Sequence, residues 1–273
     1  MFTTLYIREL QNYLYSLRFQ VSFVIVVLVF TLGSVSFASS FKDMHDNYTK
    51  YSVAQQEAIG KQAENISKVA TARNSFIISP RENSVIADCK ESYLPNRITY
   101  SAYNVFDYSV RHDSNNPLLI RTDSLSWSFI VSMFLSFITL LFAFDAISGE
   151  KEERTLALVF SNAVPRRTFL CSKLLSIITV IGVMELVGII ISLIILAVSG
   201  QVQLNSSFLI ETAGFILISL LFITTFAVFG LLSSVVTRYS NISLLISLCF
   251  WLFAAVVIPN TSVFWAKTLF SIP

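Results

Sequence analysis

Charged residues are few in this sequence. Asp, Glu, Lys and Arg make up 13% of its 273 residues and apolar residues 54%, whereas a soluble domain carries about 25% charged residues. That excludes an ordinary water-soluble globule. Cysteine is scarcer still: Cys89, Cys171 and Cys249 stand alone, without CxxC or histidine spacing, so neither a disulfide framework nor a zinc site is expected. The two histidines, His45 and His112, share one polar stretch, and neither HExxH nor GxSxG occurs. No catalytic residue and no metal ligand is therefore assigned, and the chain is not read as an enzyme. A net charge of +2 offers no strongly basic surface for nucleic acid.

What charge there is falls between long apolar runs. Residues 19 to 41, 124 to 144, 212 to 237 and 239 to 266 contain no Asp, Glu, Lys or Arg, and 174 to 198 is interrupted only by Glu185. Each run reaches the roughly 20 residues a helix needs to cross a lipid bilayer, where its backbone must satisfy its own hydrogen bonds. The sequence predicts an all-α polytopic membrane protein with five transmembrane helices, at 19–40, 124–144, 174–198, 208–236 and 241–258. The first run exceeds a signal-peptide core and comes after a segment that is not simply basic, so it reads as a retained anchor. A cytoplasmic N-terminus puts Arg8, Arg18, Lys151, Arg154, Arg166, Arg167, Lys173 and Arg238 inside, as the positive-inside rule asks. The ten basic residues from Lys42 to Arg121 then lie outside, in a loop longer than the roughly 60 residues to which that rule applies. The expected location is the cytoplasmic (inner) membrane, multi-pass, with the tail 259–273 outside.

Before the first span, residues 1–18 carry Phe2, Ile7, Leu10, Leu14 and Leu17 at near-helical spacing among Arg8, Glu9, Gln11 and Asn12. That is the pattern of an interfacial amphipathic elbow, although a plain extension of the first span has the same periodicity. The extracytoplasmic segment 41–123 is small and mixed. Ala54, Ile59, Ala63, Ile66 and Ala70 are spaced as on an amphipathic helix, Pro80, Pro95 and Pro117 punctuate the rest of the segment, and 98 to 110 reads as strand. Its Tyr100, Tyr103, Phe106 and Tyr108 are expected as buried strand aromatics rather than a ligand platform. Asn47, Asn65 and Asn241 match the glycosylation triplet, but Asn241 would face the cytoplasm, and all three read as chance matches.

Residues 145–173, reading DAISGEKEERTLALVFSNAVPRRTFLCSK, form a dense charge cluster inside an otherwise apolar half. Glu150, Glu152 and Glu153 precede Leu156, Val159 and Phe160 at helical spacing. Pro165 closes that helix, Arg166 and Arg167 come next, and Lys173 marks the entry to the third span. A short helix with an apolar face and charged flanks, held between two spans, suits docking into a groove on another protein. A solvated loop that only fixes topology is the plain alternative.

With these residues the chain resembles the permease subunits of type-two ATP-binding-cassette (ABC) exporters. Their loop after the second span has the form Gly-Glu, then Thr-Leu, then Pro-x-Arg, then Lys, here Gly149, Glu150, Thr155, Leu156, Pro165, Arg167 and Lys173, with Arg8 and Glu9 in the elbow. Arg154 stands where that family commonly has glycine, and Ala163 where it often has proline. The family usually has six spans. This chain carries five, and its tail SVFWAKTLFSIP is too short to cross, so either the last crossing is absent or the chain is a fragment. The resemblance implies a half-transporter that pairs with a second permease copy or a paralogue. It would be driven by a separate cytoplasmic ABC ATPase docked on the elbow and the 149–165 loop. No cofactor is expected in this chain; ATP and magnesium would belong to the partner. In agreement, no GxxxxGKS or GxxxxGKT phosphate loop occurs in the sequence.

Within the spans, Glu185 is the outstanding polar residue. A charge at the bilayer centre costs roughly 2.5 to 3.5 kcal/mol on insertion scales, so Glu185 should be protonated, paired or turned to the bundle interior. Gly182, Glu185, Gly188 and Ser192 share about 120° of helix and read as a packing stripe. Ser128, Ser132, Ser136 and Thr139 share about 80° on the second span, and Ser243 and Ser247 lie together on the fifth. In the resembled family those two spans flank the route between protomers, so these hydroxyls are candidates for pathway lining or helix packing. Two other functions stay open. One is an ion- or proton-coupled secondary carrier using Glu185, although no inverted repeat or pair of broken helices is seen. The other is a membrane sensor with the outer segment as receptor.

Overall fold

Ser16 decides where the first helix ends. Its hydroxyl accepts the Phe19 N–H at 3.2 Å and donates to the Tyr13 carbonyl at 2.6 Å, which is how an N-cap starts a new helix. α1 (Phe2–Leu14) is therefore a helix of its own, followed by α2 (Leu17–Gln62). The computed structural model describes residues 2–62, 74–77, 79–87, 97–100, 107–109, 125–161, 165–200, 202, 205–259 and 261. Of the positions named from the sequence, Ala63, Asn65, Ile66, Ala70, Cys89, Pro95, Tyr103, Phe106, His112, Pro117, Arg121, Ala163 and the tail from Ser262 lie outside the described residues.

α2 runs for 46 residues, carrying the first apolar run and continuing beyond it as a polar helix. The second span is α3, residues 127–143, built as Trp127–Ile130, a π-helical turn at Val131–Leu135, and Ser136–Ala143. Two short helices come next, α4 (Ser148–Glu152) and α5 (Leu156–Ser161). The remaining spans are α6 (Arg166–Ser199), α7 (Ser206–Val236) and α8 (Ser240–Trp251), the last continued by a second π-helical turn at Leu252–Val257. Among the described residues, five helices are thus long and apolar enough to cross a membrane, each closing its backbone hydrogen bonds internally.

The chain divides into two compact units. The first comprises Met1–Thr31, Ser128–Ser192 and Leu209–Pro273, and in it glycines stand where one span meets another. A Cβ on Gly188 would lie 2.5 Å from the Phe30 ring, one on Gly182 3.1 Å from Leu220, and one on Gly230 2.5 Å from the Ala143 Cβ. Absence of a side chain is what lets these pairs of spans touch. The second unit comprises Leu32–Trp127 and Leu193–Phe208. It holds a three-stranded antiparallel sheet in sequence order, β1 (Asn74–Ile77), β2 (Arg97–Tyr100) and β3 (Asp107–Ser109). Phe76 pairs with Ile98 and Ile98 with Tyr108. Trp127 is buried edge-on to Phe208, with ring centroids 6.5 Å apart.

Candidate functional site

The charged loop after the second span folds into α4 and α5 around one left-handed residue. Thr155 N–H donates to the Glu150 carbonyl at 3.0 Å and Arg154 N–H to the Lys151 carbonyl at 3.2 Å, the bond pair of a Schellman helix end. That closure requires the first residue past the helix end to be left-handed, and Arg154 has φ +61°. A non-glycine residue pays about 1–2 kcal/mol there. The glycine common at this place in the resembled pattern thus has a backbone reason, and Arg154 is a strained substitute. α5 then turns Leu158, 67% exposed, outward. Its other side is tied to the start of α6 by Phe160, which packs edge-on to Phe169 at 5.5 Å and lies 5.8 Å beneath the Arg166 guanidinium. Pro165 opens α6, its carbonyl accepting the Phe169 N–H at 3.1 Å.

Three elements meet at Lys173. This lysine is buried, and its ammonium pairs with Glu9 on α1 at 3.2 Å and with Glu150 on α4 at 2.7 Å. The second oxygen of Glu150 is buried with no hydrogen-bond partner among the described residues. Beside this joint, Arg18 pairs with Asp145 and lies over the Phe144 ring at 5.3 Å. Tyr13 meets Phe142 edge-on at 5.7 Å. Burial pushes its phenol well above the ordinary tyrosine value; Glu9, Asp145 and Glu150 add to this and Arg18 opposes it, so the group stays neutral.

The other side of α4 holds the turn between α7 and α8. Ser234 accepts the N–H groups of Ile147 and Ser148 at 2.9 and 2.8 Å. Lys151 donates to the carbonyls of Ser234 at 3.2 Å, Thr237 at 2.9 Å, and Val235. Glu152 accepts from the Ser240 N–H at 3.3 Å and hydroxyl at 3.0 Å. Lys151, Glu152 and Ser234 were not legible as a set in the sequence. A lysine and a glutamate inside a charged loop look the same whether solvated or bonded, and Ser234 is 83 residues away from Lys151.

Of the other positions named from sequence, Arg8, Arg167 and Pro165 are exposed and Leu156 is half-buried. A Cβ on Gly149 would meet nothing nearer than 3.9 Å, so space alone does not demand glycine there. Ser136 and Thr139 are fully buried and bond back to the Ser132 and Leu135 carbonyls of their own helix. Ser136 also accepts the Trp251 indole N–H at 2.9 Å. Ser128 and Ser132 are half-buried. The π turn at Val131–Leu135, which contains Ser132, breaks the even 100° spacing that put all four in one sector. Ser243 and Ser247 are buried against Ser233 at 3.1 and 2.7 Å. Glu185 is fully buried and accepts from Ser219 on α7; its other oxygen has no partner among the described residues. Ser192, the last member of its stripe, is also fully buried.

A family model described as ABC-2 family transporter protein matches residues 3–272. No curated protein matches the chain, and no solved structure does.

Proposed function

Since the chain belongs to the ABC-2 family of transporter proteins, we propose that it is the permease subunit of an ATP-driven exporter, moved by a separate cytoplasmic ABC ATPase. The observation that carries this reading is the joint at Lys173. The two elements expected to meet the ATPase, the elbow α1 and the loop helix α4, are bonded through Glu9 and Glu150 to one buried cation at the base of the third span. A push on either reaches a transmembrane helix directly instead of being absorbed in a loose loop. Leu158 supplies an exposed apolar contact on α5, flanked by charge, as helix-in-groove docking needs. The N-terminus and the 145–173 loop lie on the cytoplasmic side in this reading. A second copy or a paralogue completes the pathway, and ATP with magnesium binds to the partner.

The test uses the native complex, extracted through a tag on this chain. Leu158→Asp charges the docking face without touching the ion pairs, and should lower the amount of ATPase retained about tenfold, equivalent to 1.4 kcal/mol, while membrane insertion is unchanged. Glu150→Gln or deletion of 155–160 should uncouple the retained hydrolysis from transport. Equal retention and equal coupling in all these variants would overturn the assignment.

A further inference from the structure

We propose that Lys151 and Glu152 are positioning residues that carry a displacement of the loop helix α4 to the turn joining the fourth and fifth spans. The inference rests on the proposal that α4 is driven by an ATPase, and adds where the motion goes. Three consecutive side chains grip three different places. Glu150 holds Lys173 on the third span, Lys151 holds the last carbonyls of α7 and the Thr237 carbonyl just past its end, and Glu152 holds the N-terminus of α8.

Each grip matches the electrostatics of the helix end it takes. The last carbonyls of a helix lack intrahelical partners and form the negative end of its dipole, so a cation belongs there. The first N–H groups form the positive end and take an acidic or hydroxyl cap. Lys151 sits on the carbonyls of Ser234, Val235 and Thr237, and Glu152 on the Ser240 N–H and hydroxyl, so α4 serves as the cap of both helices. Ser234 locks the same segment a second time by accepting two backbone N–H groups from 147–148. Only Thr237, Arg238 and Tyr239 separate α7 from α8. With so short a connection the two helix ends cannot answer α4 independently, and a shift of α4 moves both spans at once.

The native complex decides this, in a chain whose Cys89, Cys171 and Cys249 are replaced by serine. One environment-sensitive fluorophore is attached either at Leu245→Cys, 62% exposed on α8, or at Ile7→Cys, 51% exposed on α1. Emission is read before and after trapping with ATP, magnesium and vanadate. Both sites respond in the parent. Lys151→Met and Glu152→Gln reduce the Leu245→Cys response about fivefold or more, leave the Ile7→Cys response in place, and Lys151→Arg recovers the lost signal. Equal Leu245→Cys responses in parent and variants overturn the transmission role and leave the ATPase reading standing. Loss of both responses together in the variants overturns a selective role, and no response at either site in the parent overturns both proposals.

Discussion

Arg154 and Lys173 carry the sharpest expectations for single residues. Arg154 occupies the left-handed position that closes α4, and the strain of about 1–2 kcal/mol there exceeds the roughly 0.5–1 kcal/mol that a flexible glycine loses on folding. Arg154→Gly should therefore raise stability by up to about 1 kcal/mol, read as a higher melting temperature of the purified chain; a lower one would refute the strain. Lys173 is a buried cation between two carboxylates. Lys173→Met strands both acids and should cost about 3–5 kcal/mol. Adding Glu9→Gln and Glu150→Gln to Lys173→Met should return a large part of that loss, because the stranded charges are gone; no recovery would show that the lysine acts by packing alone. Both residues were visible in the sequence as motif positions. What was not visible is that one lysine serves both acids, since Glu9 is 164 residues from it in the chain.

For pairs of elements the governing feature is close approach at small residues. A Cβ at Gly230 on α7 would collide with the Ala143 Cβ on α3 at 2.5 Å. Neither partner has a flexible end to swing away, so Gly230→Ala should cost about 1–3 kcal/mol. Ala143→Gly in the same chain should relieve it, and a double-mutant cycle on thermal unfolding measures the coupling. Additive effects would mean the two spans do not meet there. The stripe Gly182, Glu185, Gly188 and Ser192 could be foreseen because a regular helix repeats every 100°. The hydroxyls of the second span could not, because a π turn at Val131–Leu135 intervenes and nothing in VSMFL announces an i→i+5 bond. The fifth span has its own π turn directly after Trp251, while that of the second span ends directly before Ser136. The bond between those two residues thus joins the spans where each becomes irregular.

At the scale of the molecule, the proposed orientation makes a prediction that needs neither partner nor substrate. In right-side-out vesicles an impermeant thiol reagent should label Tyr51→Cys on the distal part of α2, 53% exposed, and spare Leu158→Cys until the membrane is permeabilised. The opposite pattern would invert the topology and remove the ATPase from the loop. Five spans come from the chain's own composition, whereas the separate helix at the N-terminus, which shares its periodicity with a plain extension of the first span, is decided by the Ser16 cap. Lipid offers the backbone no hydrogen bonds, so any apolar run of sufficient length must close them internally as a helix, and run length can be read one residue at a time. Which partners the few charges take is a different matter. Glu150, Lys151 and Glu152 are adjacent in sequence and differ little in local surroundings, yet one faces the third span and two face the turn between the fourth and fifth. Only the packing of the helices determines which helix end lies within about 3 Å of each, because a side chain's choice of partner depends on distance through space and not along the chain.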